Sequence, residues 1–564
     1  MNELLTRASA NASASAATDN QLVSWDDKHC LIIDDIAGIR RLLRESLRNL
    51  GVKHVDQAST GSEAIAMIAR QRYDIVLCDY NLDEGKNGQQ VLEEARSRNY
   101  LLPSSMFIII SAEKTIQSVM GAAEHQPDAY LIKPITEGTL LTRLNRIWHQ
   151  KQVFRQIDQA FANKDYHGAA ALCDQQILVD RVHETELLRM KAQMLVKNGE
   201  NEQAREVYER ILQGHDYDWA KVGVAKIRLQ QGEHEAARQI FQDVLTENRY
   251  FIDAYDQLAL AYQQLGQADE ACNVLERASK LSPNSVTRQK SLGEVALKLG
   301  KMELAEKAFR KCISVGEHSV NRTPDPYFGL ARLCGLRNEP KEAMLLLATV
   351  QKDFAAESTD LRATITKGLV CYESGDHRAA RVIGDELETM LASNQERPDT
   401  PTCLEMASLL FAVGVRDAPV ELLCYVIKNN DDDKAVFADV QKVFDKASMA
   451  DEGSVLIMAS RKEAADMMNQ GVLLWKTGKL DEAVAWMRAA RETLPHNLRV
   501  LFNSAQIIIS YLQQRGADSA LVAEATEVLL HVEKLSPGHP RFAELMTQLA
   551  RFAPEMAGAG AREE

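Results

Sequence analysis

Ile75-Val76-Leu77-Cys78-Asp79-Tyr80-Asn81 opens on four apolar residues and closes on a carboxylate, a tyrosine and an amide. An apolar run this short, led by two β-branched residues, reads as a strand buried on both faces. Working outward, four comparable runs stand at 29–33, 54–58, 106–110 and 129–132. Helix-like amphipathic stretches separate or follow them at 39–50, 62–71, 89–98, 115–123 and 136–150. Five strands alternating with five helices predict a parallel sheet covered on both faces, a doubly wound α/β domain over 26–150.

Chemistry-bearing residues fall where these strands end. Asp34 and Asp35 close the first, Asp79 the third, Ser111 the fourth, and Lys133-Pro134 the fifth. In open α/β sheets the carboxyl ends of the strands form the ligand crevice. Three carboxylates meeting there would repel one another unless a cation sat among them. An open, oxygen-rich site of this kind suits Mg²⁺.

The layout resembles the response-regulator receiver domain, a five-stranded flavodoxin-like fold, over about 26–150. The resemblance implies in-line phosphoryl transfer to Asp79, with Asp35 a direct Mg²⁺ ligand, Asp34 a water-mediated one, and the backbone carbonyl of Asn81 completing the protein's ligands. It further implies that Ser111 bonds the new phosphoryl oxygen, that Lys133 pairs with it, and that Tyr130, three residues earlier, is the switch aromatic. Pro134 implies a cis Lys-Pro bond. Asn81 and Glu113 hold positions that tune loss of the phosphoryl group in that family. One departure stands out: the family has Pro four residues and Gly eight residues after the acceptor, whereas this chain has Asp83 and then Gly88, so the loop is longer by one residue and more acidic.

Beyond residue 150 the strand-like runs give way to helical periodicity. Gly followed five positions later by Ala recurs as Gly199/Ala204, Gly232/Ala237, Gly266/Ala271 and Gly300/Ala305, and returns as Gly375/Ala380 and Gly478/Ala483. Around the third turn stand Tyr255, Leu258, Ala259, Tyr262, Leu275, Ala278 and Pro283. Register and spacing resemble the tetratricopeptide repeat (TPR), which implies an all-α superhelix of stacked hairpins. Small residues such as Ala259 and Ala271 let paired helices approach, and Tyr208, Phe241 and Phe309 fill the gaps between pairs. Pro419 stands where the repeat wants Ala, and a polar tract follows at 429–434.

A length of 564 residues exceeds any single compact core and predicts several domains. The expected organisation is a disordered lead-in over 1–25, a receiver domain over 26–150, a TPR subarray over 151–356, divergent helical hairpins over 357–458, a second TPR subarray over 459–550 and a flexible tail over 551–564. No Gly or Pro lies between Gly138 and Gly168, so a continuous helix over 140–162 is expected to join receiver to repeats.

The net charge of -14 repels phosphate backbones, and no apolar run approaches the length a membrane span needs, so neither nucleic acid nor membrane insertion is expected. Nine cysteines without Cys-x-x-Cys spacing fit a reducing cytoplasm. The chain therefore reads as a non-enzymatic, cytoplasmic two-component response regulator whose phosphorylation switches a protein-binding scaffold. Two other readings are a phospho-independent adaptor with a docking-only receiver and a receiver-regulated transcription factor or enzyme.

Expected partners are a histidine kinase or phosphotransfer protein, a protein ligand of the TPR groove, and a second copy of the chain through the receiver. Groove positions Arg189, Gln193, Lys197, Lys226, Asp256, Gln263, Lys290 and Lys298 mix charge with amide and read as a solvated face, with partner binding as the alternative. The receiver surface expected to signal includes Gln117, Met120, Tyr130 and Arg143.

Overall fold

The computed structural model describes residues 24–552 apart from 84, 114, 116, 118–119, 122–123, 355, 394–396, 431–432, 517 and 537–538. The expected lead-in and tail lie almost wholly outside the described residues. Trp25, assigned to the lead-in, is instead buried, its ring edge-on to Trp148 at 5.3 Å. The chain divides into two compact units. One runs through Val295 and includes Lys311–Thr323; the other comprises Ala296–Arg310 and the residues from Pro324 onward.

In the first unit, strands β1 (His29–Ile33), β2 (His54–Ala58), β3 (Ile75–Asp79), β4 (Met106–Ser111) and β5 (Ala129–Ile132) form one parallel sheet in the order β2-β1-β3-β4-β5. Every residue of β3 and β4 is buried, because helices cover both faces. Helices α2 (Gly61–Arg70) and α3 (Gly88–Ser97) cover one face with Ala64, Ile65, Ile68, Val91 and Leu92. Helices α1 (Ala37–Asn49) and α4 (Glu137–Gln152) cover the other with Leu43, Leu47, Leu140, Leu144 and Trp148. Strand order reverses between β1 and β3, which opens the crevice at their carboxyl ends. Of the helix expected over 115–123, Gln117, Met120 and Gly121 are helical, while 116, 118–119 and 122–123 lie outside the described residues.

The continuous connecting helix is not formed. Helix α4 ends at Gln152, Val153–Ile157 form turns, and α5 (Asp158–Ala162) is short. The turns are closed by Phe154 N to Lys151 O (3.0 Å), Arg155 N to Gln152 O (3.1 Å) and Ile157 N to Phe154 O (2.9 Å). The tighter winding coincides with burial of Val153, Phe154 and Ile157 against Ala169, Cys173 and Leu187. Asp158 then accepts from Ser104 N (3.1 Å) and Oγ (2.5 Å), fixing α5 to the loop before β4.

Hairpins of the same unit continue through α6 (Tyr166–Val179), α7 (Glu184–Lys197), α8 (Asn201–Gly214), α9 (Asp218–Gln230), α10 (His234–Glu247), α11 (Ile252–Gln264) and α12 (Ala268–Leu281). The division between units passes through α13 (Val286–Lys298) and α14 (Met302–Gly316). The second unit holds α15 (Asp325–Leu336), α16 (Pro340–Asp353), α17 (Glu357–Glu373), α18 (His377–Ser393), α19 (Thr400–Ala412), α20 (Asp417–Asn429), α21 (Lys434–Lys446), α22 (Ala450–Lys476), α23 (Leu480–Thr493), α24 (Leu498–Arg515), α25 (Ser519–Leu535) and α26 (Pro540–Ala550). The domain boundary expected at 458/459 falls inside α22, one helix of 27 residues.

All six turn glycines named from sequence have positive φ, between 72° and 89°. The alanines five residues later are 0% exposed, so the spacing sets a left-handed turn and then a close helix contact. Tyr208 and Phe309 fill gaps as expected, each against a glycine: a Cβ on Gly223 or Gly329 would lie 2.6 Å from the respective ring. At Gly266 (φ 74°) a Cβ meets open space, so only backbone strain opposes a side chain. Gly266→Ala is expected to cost about 1–2 kcal/mol in chemical denaturation, and a neutral result would contradict the strained turn.

Candidate functional site

The predicted strand-end residues converge. Lys133 Nζ lies 2.9 Å from Asp34 Oδ2 and 3.1 Å from Asp79 Oδ1. Asp34, Asp35 and Asp79 each place a carboxylate oxygen within 4.8 Å of the others, Asp34 and Asp79 buried and Asp35 half-buried. Asp34 Oδ1 accepts from Ile36 N (2.9 Å), which turns the chain into α1. From the first turn of that helix Arg40 donates to the carbonyls of Asp34 (2.5 Å) and Asp35 (2.9 Å), an anchoring role for which the sequence carries no signal.

Burial pushes the Asp79 carboxyl up to about 6; Asp34 adds to the rise while Lys133 opposes it. For Lys133, burial disfavours the ammonium, but its bonds to Asp34 and Asp79 outweigh this and the pKa is raised. The crevice is thus a carboxylate cluster held together by one ammonium, an oxygen donor set of the kind a small hard cation takes.

The loop after Asp79 absorbs its additional residue without moving Gly88 from the acceptor strand. Gly88 N donates to Tyr80 O (2.9 Å), and a Cβ at Gly88 would lie 2.1 Å from the Asp79 carbonyl oxygen. Asn87 and Gln90 cap α3 reciprocally. Ser111 is buried at the end of β4, and its Oγ accepts from Glu113 N (3.0 Å). Glu113 also accepts from Asn81 Nδ2 at its side chain (2.9 Å) and from the Tyr130 hydroxyl at its carbonyl (3.1 Å). Asn81, Ser111 and Tyr130 therefore meet at one residue. The Lys133-Pro134 bond is cis, as expected.

The proposed groove residues are brought together only in part: Arg189, Gln193 and Lys197 line one cavity. Arg189 is half-buried rather than solvated: it stacks on Trp219 (5.1 Å) and donates to Gln126 Oε1 (3.3 Å) ahead of β5. Gln193 and Lys197 line the same cavity, of about 560 Å³, with Leu102 and Phe154. Elsewhere Lys226 pairs with Asp253 (2.7 Å), Lys290 lies 3.9 Å from Glu294, and Lys298 pairs with Asp439 (3.1 Å). Asp256 is held by a residue that sequence reasoning missed. Arg288 is 2% exposed and binds both Asp256 oxygens at 2.7 and 2.8 Å.

A strand-end carboxylate cluster of this form defines a receiver. The family model described as "Response regulator receiver domain" matches residues 30–145, and tetratricopeptide repeat models match 189–250, 228–294, 291–315 and 467–489. Chemotaxis protein CheY-3 of Vibrio cholerae is 31% identical over 122 residues, covering 21% of this chain and 91% of its own. Chemotaxis protein CheY of Pseudomonas aeruginosa is 28% identical and covered over 95% of its length. Among solved structures, Vibrio cholerae CheY4 matches at 23% identity and a TM-score of 0.20, covering 21% of this chain and 98% of that one. Response regulator TrrA of Thermotoga maritima, in complex with Mg(2+)-BeF, matches at 27% and 0.19, covering 21% and 98%. The chain belongs to the response-regulator receiver family, and carries tetratricopeptide repeats after the receiver. It is a two-component protein with a protein-interaction region. No described helix is long and apolar enough to cross a membrane.

Proposed function

We propose that phosphorylation of Asp79 switches the protein-binding state of the TPR array. The observation that carries this reading is Lys133 Nζ bridging Asp34 and Asp79 with Asp35 beside them. Asp79 attacks phosphorus in line, the bond to the donor nitrogen of a histidine kinase or phosphotransfer protein breaks, and the phosphoryl group ends on Asp79 as an acyl phosphate. Lys133 then pairs with a phosphoryl oxygen and Ser111 donates to another, while Tyr130 follows through Glu113.

Asp34, Asp35, Asp79 and the Asn81 carbonyl would hold Mg²⁺, which supplies charge neutralisation on the transferring group. The chemistry goes no further than self-phosphorylation and hydrolysis, so the protein is a switch rather than an enzyme acting on other molecules. Nine free thiols, eight of them buried, support placing it in the cytoplasm.

Incubation of the full chain with a small phosphodonor and Mg²⁺ is expected to give one acid-stable, base-labile phosphoryl group per chain. Asp79→Asn should reduce incorporation to background, and chelating Mg²⁺ should do the same. Unchanged incorporation in either case would sink the assignment.

A further inference from the structure

The two segments that carry the acceptor chemistry both continue into contacts with the repeats of the same compact unit. After Asp79 and Asn81, the loop and α3 present Lys86, Gln90 and Glu93. Lys86 Nζ donates to His318 O (2.7 Å) and Gln90 Nε2 to Val315 O (2.9 Å). Glu93 accepts from Ser319 Oγ (3.1 Å) and Asn321 Nδ2 (2.5 Å). After Ser111 and Glu113, the next segment presents Gln117 and Glu124. Gln117 Nε2 donates to Lys280 O (3.3 Å), and Glu124 Oε1 accepts from Arg288 Nη1 (2.9 Å).

Arg288 is the centre of this contact. One guanidinium binds Asp256 bidentately, the Ser282 carbonyl at 2.8 Å and Glu124, with its side chain 1% exposed. A buried Arg joining a repeat carboxylate to a receiver carboxylate is charge-complementary, with a bond from each guanidinium nitrogen. It draws part of the expected foreign-partner face, Asp256 included, into a contact with the protein's own receiver.

We infer that the Asp256–Arg288 site and the Val315–Asn321 loop are the receiver's own docking surface, and that phosphorylation of Asp79 releases it. The release rests on Asp79 being the acceptor. A phosphoryl group there draws Ser111 and Lys133 inward, and so pulls on Glu113, which is bonded to Ser111, Asn81 and Tyr130, and on Gly88, packed against the Asp79 carbonyl. The segments holding Glu113 and Gly88 carry the bonds to the repeats just described, so an external protein partner would bind the face that the receiver vacates.

Hydrogen exchange on the full chain tests both steps. Beryllofluoride with Mg²⁺ is the phosphoryl probe, and its ¹⁹F signal reports whether Asp79 is occupied. Occupancy is expected to speed exchange of the 316–321 amides about tenfold, with no effect in Asp79→Asn. Glu124→Gln, which leaves the acceptor site intact, should speed the same amides without beryllofluoride. Occupied Asp79 with unchanged exchange would overturn release. Unchanged exchange in Glu124→Gln would overturn the docking surface. Failure of beryllofluoride to bind would overturn release by removing the acceptor reading beneath it, while the Glu124→Gln arm still decides the docking surface.

Discussion

Gly88→Ala is expected to destabilise the receiver by about 3 kcal/mol or more, lowering its thermal transition by roughly 10 °C or more and abolishing phosphoryl acceptance by what remains folded. The added Cβ would sit 2.1 Å from the Asp79 carbonyl oxygen, 3.0 Å from its carbon and 3.1 Å from Cys78 Sγ. Two of those three neighbours are backbone of a fully buried central strand, which has no rotamer by which to yield. Relief requires moving either α3 or the acceptor itself. Gly138→Ala, which meets nothing within 4 Å and sits inside a helix, is the matched control and should be neutral or slightly stabilising. Calorimetry of both variants, followed by phosphoryl incorporation, checks the pair. A Gly88→Ala protein melting with the wild type would mean that α3 is not held against the acceptor strand.

This glycine also shows what the sequence made legible. Its offset from Asp79 departs from the family pattern, so a motif count alone leaves the loop geometry open. Packing answers it: Gly85, at φ 77°, turns within the longer loop, and Gly88 still reaches the Asp79 carbonyl. The inner strands β1, β3 and β4 were readable because burial on both faces demands uninterrupted apolar runs, and the acceptor cluster because carboxylates at strand ends are costly without a purpose.

The repeats were readable only where the left-handed turn is glycine. Lys164, Asn338 and Ser448 hold positive φ of 58°, 60° and 59°. Five residues beyond each stands a small buried residue, Ala169, Ala343 and Gly453. The spacing persisted while the residue that advertises it changed. Half of the receiver–repeat contact was invisible for a different reason. Lys86, Gln90 and Gln117 bond to backbone carbonyls, which every sequence supplies and none specifies.

Arg288→Ala is expected to cost about 3–5 kcal/mol, because it removes one cation from between two carboxylates and leaves Glu124 buried without its partner. The side chains of Glu124 and Asp256 are 12% and 34% exposed, so the larger penalty falls on Glu124. Burial already holds the Glu124 carboxyl above its ordinary range, with Arg288 opposing the rise and Asp256 adding to it. Removing Arg288 takes away the larger opposing influences and leaves only a hydrogen bond with Ser282 against the rise.

A carboxyl whose folded pKa lies above its unfolded value binds more proton in the native state, so its contribution to stability falls as pH rises through that range. The Arg288→Ala penalty should accordingly be smaller near pH 5, where Glu124 can take up a proton, than near pH 8. Glu124→Gln in the same background removes the titrating group and should flatten that dependence, recovering part of the loss at pH 8. Urea denaturation of the single and double variants at both pH values measures the coupling directly. A penalty independent of pH, or strict additivity of the two substitutions, would show that Arg288 acts on Asp256 alone and does not hold the receiver through Glu124.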